Sequence, residues 1–185
     1  RIMLKKFVLG GMTALVLAAC GGEGGSASSS TPAQSANASG SLIERINNKG
    51  TITVGTEGTY APFTYHDKDG KLTGYDVEVT RAVADKLGVK VEFKETQWDS
   101  MMAGLKAGRF DVVANQVGLT SPERQATFDK SEPYSWSGAV LVARKDSNIK
   151  SIDDIKGVKT AQSLTSNYGE KAKAAGAELV PVDGL

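Results

Sequence analysis

Short β-branched runs alternate with helical stretches from residue 51 to residue 182, and this order constrains the fold more than any other feature. Strands are predicted where Val, Ile and Thr concentrate, and helices are predicted where apolar residues recur at helical spacing before a glycine. Strands that alternate with helices of about ten residues indicate an α/β domain with a largely parallel sheet. The predicted strands are 51–55, 89–95, 110–115, 139–143, 158–161 and 178–182, with a hairpin over 63–75, and the predicted helices are 42–48, 76–87, 98–107, 152–155 and 168–175.

The first 41 residues have the composition of a targeting segment followed by a linker. Two lysines precede an apolar run over 7–19, which is shorter than the roughly 20 residues of a membrane span and is typical of a signal-peptide core. Residues 21–41 are almost entirely small or polar and cannot offset the entropy of ordering the backbone. We therefore predict a signal peptide over 1–19, a flexible tether over 20–41 and a folded region after it.

Cys20 ends the sequence Leu-Ala-Ala-Cys, which resembles the signal box of bacterial lipoproteins. The resemblance implies cleavage before Cys20 and lipidation of that residue. Several acyl chains would anchor the protein stably, because each buried methylene adds about 0.8 kcal/mol. The protein is then expected in the periplasm or at the cell surface of a bacterium, as a membrane-anchored lipoprotein. The alternative is a soluble secreted protein with an incidental cysteine.

The charge balance and the scarcity of Cys and His exclude several classes of function. The sequence has 22 Lys and Arg against 21 Asp and Glu, so the net charge of +1 gives no electrostatic reason to expect a nucleic-acid partner. A single cysteine excludes a disulfide framework, and a single histidine, His66, excludes a Cys/His zinc site. We predict no metal, no cofactor and no catalytic residues, because the sequence supports no nucleophile–base pair.

Four motifs occur in one order along the chain: GTEGTYAPF at 55–63, GKLTGYD at 70–76, GRFD at 108–111, and SPER at 121–124 followed by FD at 128–129 and PY at 133–134. Together they resemble the family 3 periplasmic solute-binding proteins of polar amino-acid ABC transporters. The likeness covers residues 42–185. The pairing of WD at 98–99 with NQV at 115–117 most resembles the cystine-binding members.

The resemblance implies a type II periplasmic binding-protein fold with two lobes. Lobe 1 would comprise 42–143, the hinge crossing 144–147, and the start of lobe 2 148–185; family members are longer, so the second lobe is expected to be incomplete. A monomer would close on a polar amino acid, with L-cystine the best guess, and deliver it to an ABC permease in the inner membrane. Two alternatives stay open: an enzyme on the same fold, such as a dehydratase, and a sensor or surface lipoprotein without a transport role.

Arg124 is the candidate partner of the ligand carboxylate, since a guanidinium binds a carboxylate through two parallel hydrogen bonds. The Ser-Pro pair before it predicts the start of a helix. On the residues alone, a surface arginine paired with Glu123 or Asp129 is the commoner case, and the family motif favours the binding site instead. The resemblance also implies a backbone N–H donor to the carboxylate among Gly118, Leu119 and Thr120.

Two pairs of candidate residues follow predicted strands, at the edge where α/β sheets bind their ligands. The resemblance implies that Glu57 faces the ligand amine and that Tyr60 walls the cleft; a solvated acid and a half-buried tyrosine are the alternatives. Asn115 and Gln116 can bond a polar ligand without adding charge. Because these candidates include few acids, a strongly cationic ligand such as arginine is disfavoured.

Two further candidate positions lie at predicted helix starts. Trp98 is expected to form an apolar wall of the site, with core packing as its alternative, and Asp99 is expected to cap the helix. Thr165 and Ser166 match a family loop that donates hydroxyl and N–H groups to the ligand carboxylate, although a simple helix cap is possible there. The resemblance places the family's main acidic partner for the ligand ammonium beyond Leu185.

Overall fold

The computed structural model describes residues 40–183; the predicted signal peptide, Cys20 and most of the predicted tether lie outside the described residues. Strands alternate with helices along the chain. The helices are α1 (Leu42–Lys49), α2 (Tyr75–Leu87), α3 (Trp98–Lys106), α4 (Pro122–Thr127) and α5 (Asn167–Ala174), with a 3₁₀ helix over Ile152–Ile155. The strands are β1 (Thr51–Thr56), β2 (Thr59–Tyr60), β3 (Thr64–His66), β4 (Leu72–Thr73), β5 (Lys90–Glu95), β6 (Val112–Val113), β7 (Lys159–Gln162) and β8 (Glu178–Pro181).

The strand β1 lies at the centre of a three-stranded parallel sheet with the order β5-β1-β6. Its alternating β-branched residues supply the core: Val54 is 0% exposed and packs with Ile46 of α1, Ile52 of β1 and Ala84 of α2. Parallel strands require helical crossovers, and those helices cover the sheet. The prediction of an α/β domain with a largely parallel sheet is therefore confirmed.

A second parallel pair is formed by β7 and β8, which are joined through α5. We call residues 159–181 the βαβ segment. The helix packs on both strands, where Gly169 lies close to Gln162 and Leu179 and leaves only van der Waals room for a methyl group. The strands and the helix predicted here from the sequence are present to within one residue at each end.

Local capping signals set the ends of α1 and α2. The Ser41 hydroxyl accepts the N–H of Glu44 at 3.3 Å, and the Glu44 carboxylate accepts the N–H of Ser41 at 2.7 Å, which makes a capping box. Gly50 and Gly88 follow the two helices with φ of 69° and 68°, in the left-handed conformation that glycine adopts without strain. Within the described part of the chain, every helix is too short or too polar to cross a bilayer.

The segment 139–143 forms no strand, so that prediction is wrong. Val140 and Val142 are 86% and 89% exposed, and no strand of the described residues runs beside them. A β-branched run satisfies its backbone as a strand only when a neighbour pairs with it, and sequence alone does not supply the neighbour. The predicted strand over 110–115 is likewise shorter than expected, because only Val112 and Val113 pair with β1.

Gly55 of β1 lies directly under the ring of Phe110, and a methyl group at this position would come within 2.7 Å of that ring. We expect Gly55→Ala to lower the free energy of unfolding by about 1–3 kcal/mol, because overpacking forces the ring or the strand to shift. Gly138→Ala is the matched control, since a methyl group there meets nothing within 4 Å. Urea unfolding of both variants measures the difference; equal midpoints would contradict the packing argument.

Candidate functional site

A cavity of about 210 Å³ opens at the carboxyl ends of β1, β6 and β7. Open α/β sheets bind ligands at this position, in the crevice beyond the strand ends. The parallel sheet supplies one side of the cavity and the βαβ segment supplies the other. The lining residues are Glu57, Tyr60, Trp98, Asn115, Gln116, Ala161, Gln162, Ser163, Ser166, Tyr168 and Val182.

Glu57 is the one charged side chain among these lining residues, and Asn115 holds it in place. Asn115 Nδ2 donates to Glu57 Oε2 at 2.7 Å, and Asn115 Oδ1 accepts the backbone N–H of Glu57 at 2.8 Å. Asn115 is 3% exposed, and the Thr56 hydroxyl also donates to its Oδ1 at 3.3 Å. These contacts fix one carboxylate oxygen of Glu57 and leave the other, Oε1, for a cationic group in the cavity.

Two aromatic side chains give the cavity its apolar walls. Tyr60 contacts Phe63 edge to face, with 5.1 Å between ring centroids. Burial raises the pKa of Tyr60, and the nearby Tyr168 and Glu57 raise it further, so the phenol stays neutral. The half-buried indole of Trp98 forms the second wall. Aromatic faces of this kind bury the apolar part of a ligand side chain.

A buried carboxylate, Asp76, fixes the backbone and the side chain of Gln116. Asp76 is 0% exposed; its Oδ2 accepts the backbone N–H of Gln116 and its Oδ1 accepts from Gln116 Nε2, each at 2.6 Å. Burial raises the pKa of Asp76, and the hydrogen bonds from Gln116 and the Tyr134 hydroxyl oppose that rise. Gln116 has a φ of 50°, a left-handed conformation that costs free energy in a residue other than glycine. The two hydrogen bonds offset that strain at the edge of the cavity.

Arg124 is buried, at 9% exposure, and its guanidinium bridges two separate loops. Nη1 donates to the carbonyl of Gly118 and Nη2 donates to the carbonyl of Thr165, each at 2.9 Å. The guanidinium also lies over the ring of Trp98, 5.2 Å from its centroid. Burial lowers the pKa of Arg124, but an arginine remains charged at any ordinary pH. The alternative of a surface arginine paired with Glu123 or Asp129 is therefore wrong.

The loop between β7 and α5 brings Thr165 and Ser166 to the site. Ser166 is the cap of α5, since its hydroxyl oxygen accepts the N–H of Tyr168 at 3.2 Å and of Gly169 at 3.4 Å. Ser166 also lines the cavity, so the expected cap and a place in the site occur in one residue. Thr165 donates its N–H and its hydroxyl to the carboxylate of Asp99 instead.

Six of the ten predicted ligand-binding residues line the cavity, and the other four do not. Three of those four contribute backbone carbonyls to hydrogen bonds, two to Arg124 and one to Gln125. Contact with a ligand stays a prediction for all ten. The six in the lining are Glu57, Tyr60, Trp98, Asn115, Gln116 and Ser166; the four outside it are Gly118, Leu119, Arg124 and Thr165.

Sequence reasoning missed five residues of the lining and misassigned one acid; the five are Ala161, Gln162, Ser163, Tyr168 and Val182. Gln162 is the last residue of β7 and Ser163 follows it, so the strand-end rule that selected Glu57 could also have selected these two. The prediction that Asp99 caps α3 is wrong, because the helix begins after Gln97 and Asp99 lies within its first turn. Its carboxylate instead accepts hydrogen bonds from a residue 66 positions later in the chain.

The sequence profile of the bacterial extracellular solute-binding proteins, family 3, matches residues 52–179. The L-cystine-binding protein TcyA of Bacillus subtilis (strain 168) is 61% identical over 148 residues, which are 79% of this chain and 54% of the relative. A probable amino-acid ABC transporter-binding protein of Haemophilus influenzae (strain ATCC 51907 / DSM 11121 / KW20 / Rd) is 60% identical over 147 residues, 79% of this chain and 57% of the relative. The chain thus spans about half the length of these curated relatives.

Two solved structures place the fold among amino-acid-binding proteins. The L-cystine solute receptor of Neisseria gonorrhoeae, in an unliganded open conformation, has 96% identity, a TM-score of 0.52, and coverage of 79% of this chain and 62% of that chain. An ancestral amino acid-binding protein, a precursor of cyclohexadienyl dehydratase, has 37% identity, a TM-score of 0.71, and coverage of 78% and 66%. The predicted type II periplasmic binding-protein fold is thereby confirmed. With most of its folded region matched by the profile, the chain belongs to family 3 of the bacterial extracellular solute-binding proteins.

Proposed function

We propose that this protein captures a polar amino acid, L-cystine in the first instance, and delivers it to an ABC permease without chemical change. The observation that carries the proposal is the cavity at the strand ends, with the held carboxylate of Glu57 as its one charged lining group. The family and the cystine-binding names of several relatives support the same ligand class. Together with the Arg124 guanidinium, which lies over the lining residue Trp98, the Glu57 carboxylate suits a ligand whose own charges sum to zero.

The groups around the cavity can be assigned to the two ends of an amino acid, its ammonium and its carboxylate. Glu57 Oε1 is available to the ammonium group. Arg124 has five N–H donors and uses two of them on carbonyls, so three remain for the carboxylate. The Ser166 hydroxyl accepts both of its cap bonds and therefore keeps its hydrogen for a ligand oxygen. L-Cystine has a second amino acid end, for which Gln162 offers an uncharged amide, whereas the amide of Gln116 is hydrogen-bonded to Asp76 and Ser135.

Closure of two lobes around the ligand is part of this proposal, with lobe 1 over 42–143, a hinge crossing over 144–147 and lobe 2 beginning at 148. One comparison supports the movement. The gonococcal receptor, in its open conformation, superposes less closely than the ancestral protein does, although its sequence is far more similar. Domain closure about a hinge is the usual way in which such proteins enclose a ligand.

The lipid anchor belongs to the proposal as well. The Leu-Ala-Ala-Cys sequence before the tether supports lipidation of Cys20 and a place at the outer face of a bacterial membrane. The enzyme alternative finds less support at the site. The lone histidine, His66, contacts the carbonyl of Gly58 and the carboxylate of Glu95 and is not among the lining residues.

Titration with L-cystine, followed by tryptophan fluorescence, tests the ligand assignment. We expect a saturable change with L-cystine and none with L-arginine, because a single lining carboxylate cannot serve both cationic groups of arginine. The signal should come from Trp98 in the cavity wall and not from Trp136, which is 82% exposed. It should therefore persist in Trp136→Phe and vanish in Trp98→Phe.

Calorimetry of the same solutions is the control, since it detects binding that changes no fluorescence. The absence of heat, of a fluorescence change and of thermal stabilisation with L-cystine would reject cystine as the ligand. A response to L-arginine alone would contradict the charge argument at Glu57.

A further inference from the structure

Asp99, at the start of α3, holds the loop that precedes α5. Its Oδ1 accepts the backbone N–H of Thr165 at 3.0 Å and the Thr165 hydroxyl at 2.6 Å. Hydrogen bonds to an ionised carboxylate are about twice as strong as those between neutral groups. One carboxylate oxygen thus joins the parallel-sheet side of the cavity to the βαβ segment.

A second contact to the same residue makes the junction a closed ring. The carbonyl of Thr165 accepts a hydrogen bond from Arg124, and the guanidinium of Arg124 lies over the ring of Trp98. Trp98 precedes Asp99 in the chain and forms a wall of the cavity. The backbone N–H, the carbonyl and the hydroxyl of Thr165 are therefore all hydrogen-bonded to residues on the parallel-sheet side of the cavity. The ring of contacts includes Trp98, which lines the cavity.

Neither Asp99 nor Thr165 lines the cavity. The junction is made by protein groups alone, so it can stabilise the arrangement in which the βαβ segment lies against the cavity, here called the closed arrangement, without touching the ligand. A ligand that binds the closed arrangement gains affinity in proportion to the closed fraction. The Asp99–Thr165 contact joins the two sides of the cavity, so separating the sides would break it. Such a contact favours the closed arrangement and thereby raises the affinity.

We propose that Asp99 is a positioning residue for ligand capture, a latch that holds Thr165 and closes the βαβ segment onto the cavity. The proposal rests on the proposed amino-acid-binding function for its effect on affinity, but the latch itself is a property of the protein without any ligand. The role assigned to Thr165 differs from that of a direct carboxylate donor, because both of its donors serve Asp99.

Asp99→Ala tests the latch in two measurements on the same protein. Hydrogen exchange reports directly on the Thr165 amide, which loses its acceptor, and we expect its exchange to accelerate about tenfold or more. Calorimetry with L-cystine is expected to give a five- to thirtyfold weaker affinity, which is about what two charge-assisted hydrogen bonds at a partly exposed position contribute. Asp85→Ala is the matched control, because Asp85 is exposed on α2 and makes no side-chain hydrogen bond among the described residues.

Two variants of Thr165 keep the test decisive if Asp99→Ala folds poorly. Thr165→Val removes the hydroxyl and keeps the N–H, so it should lose part of the affinity, while Thr165→Ser keeps both donors and should lie nearer to the wild type. Combining Thr165→Val with Asp99→Ala should weaken binding no further than Asp99→Ala alone, since both changes remove the same contact.

The outcomes separate the latch from the ligand assignment. If the wild type does not bind L-cystine, the proposed function fails, and the exchange rate of the Thr165 amide still decides whether the latch exists. Unchanged exchange in Asp99→Ala would overturn the latch. An unchanged or tighter cystine affinity in that variant would also overturn it, because Asp99 would then be neutral or would compete with the ligand for Thr165.

Discussion

Arg124→Ala is expected to weaken the binding of L-cystine by at least about tenfold. The proposed contact between the guanidinium and a ligand carboxylate is worth roughly 1.5–3 kcal/mol, and the variant would lose it entirely. It also loses the two hydrogen bonds that hold the carbonyls of Gly118 and Thr165 and the contact with the Trp98 ring. Calorimetry measures the affinity, and thermal unfolding shows whether the variant is folded.

Arg124→Lys separates the charge from the geometry of this contact. A lysine keeps the positive charge, but a single ammonium cannot reach both carbonyls and a ligand carboxylate in the planar arrangement of a guanidinium. We therefore expect the lysine variant to recover only a small part of the affinity. Arg109→Ala is the matched control, since Arg109 is exposed after α3 and its loss changes the net charge equally. An affinity of Arg124→Ala equal to that of Arg109→Ala would reject the carboxylate assignment.

The elements that the sequence predicts well are those whose signals are local. The capping box of Ser41 and Glu44 and the glycines at 50 and 88 act within a few residues of the helix ends, so the pattern contains the whole interaction. The run at 139–143 has the composition of a strand, but its state depends on a neighbour that the pattern does not name. Local sequence signals therefore predicted the helix ends correctly, but they wrongly predicted a strand at 139–143, where no neighbouring strand of the described residues pairs with the chain.

The site likewise contains residues that the sequence predicts and contacts that it does not. Glu57 and Asn115 could be predicted because each follows a strand, and parallel strands bring their carboxyl ends to one edge. The hydrogen bonds of Asp76 to Gln116 span 40 residues, and those of Asp99 to Thr165 span 66. No periodicity links residues so far apart, so these positioning contacts become visible only in the folded structure.

Asp76→Ala is expected to lower the free energy of unfolding by about 2–5 kcal/mol. Two donors of Gln116, the backbone N–H and Nε2, lose a fully buried acceptor, and each buried donor left without a partner costs about 1–3 kcal/mol. The left-handed backbone of Gln116 also loses the contacts that offset its strain. Urea unfolding of the variant and the wild type measures the difference.

Glu78→Ala is the control for Asp76→Ala, because both acids lie in the first turn of α2 and Glu78 is exposed. Glu78 pairs with Arg81 at 3.6 Å on the surface, a contact worth at most about 1 kcal/mol. Asp76→Asn adds a finer distinction, because its amide nitrogen must face one of the two Gln116 donors and should recover little of the lost stability. A loss below about 1 kcal/mol in Asp76→Ala would mean that Gln116 keeps its conformation without the carboxylate. In that case the cavity edge would be held by the backbone around it, and cystine affinity should survive the substitution unchanged.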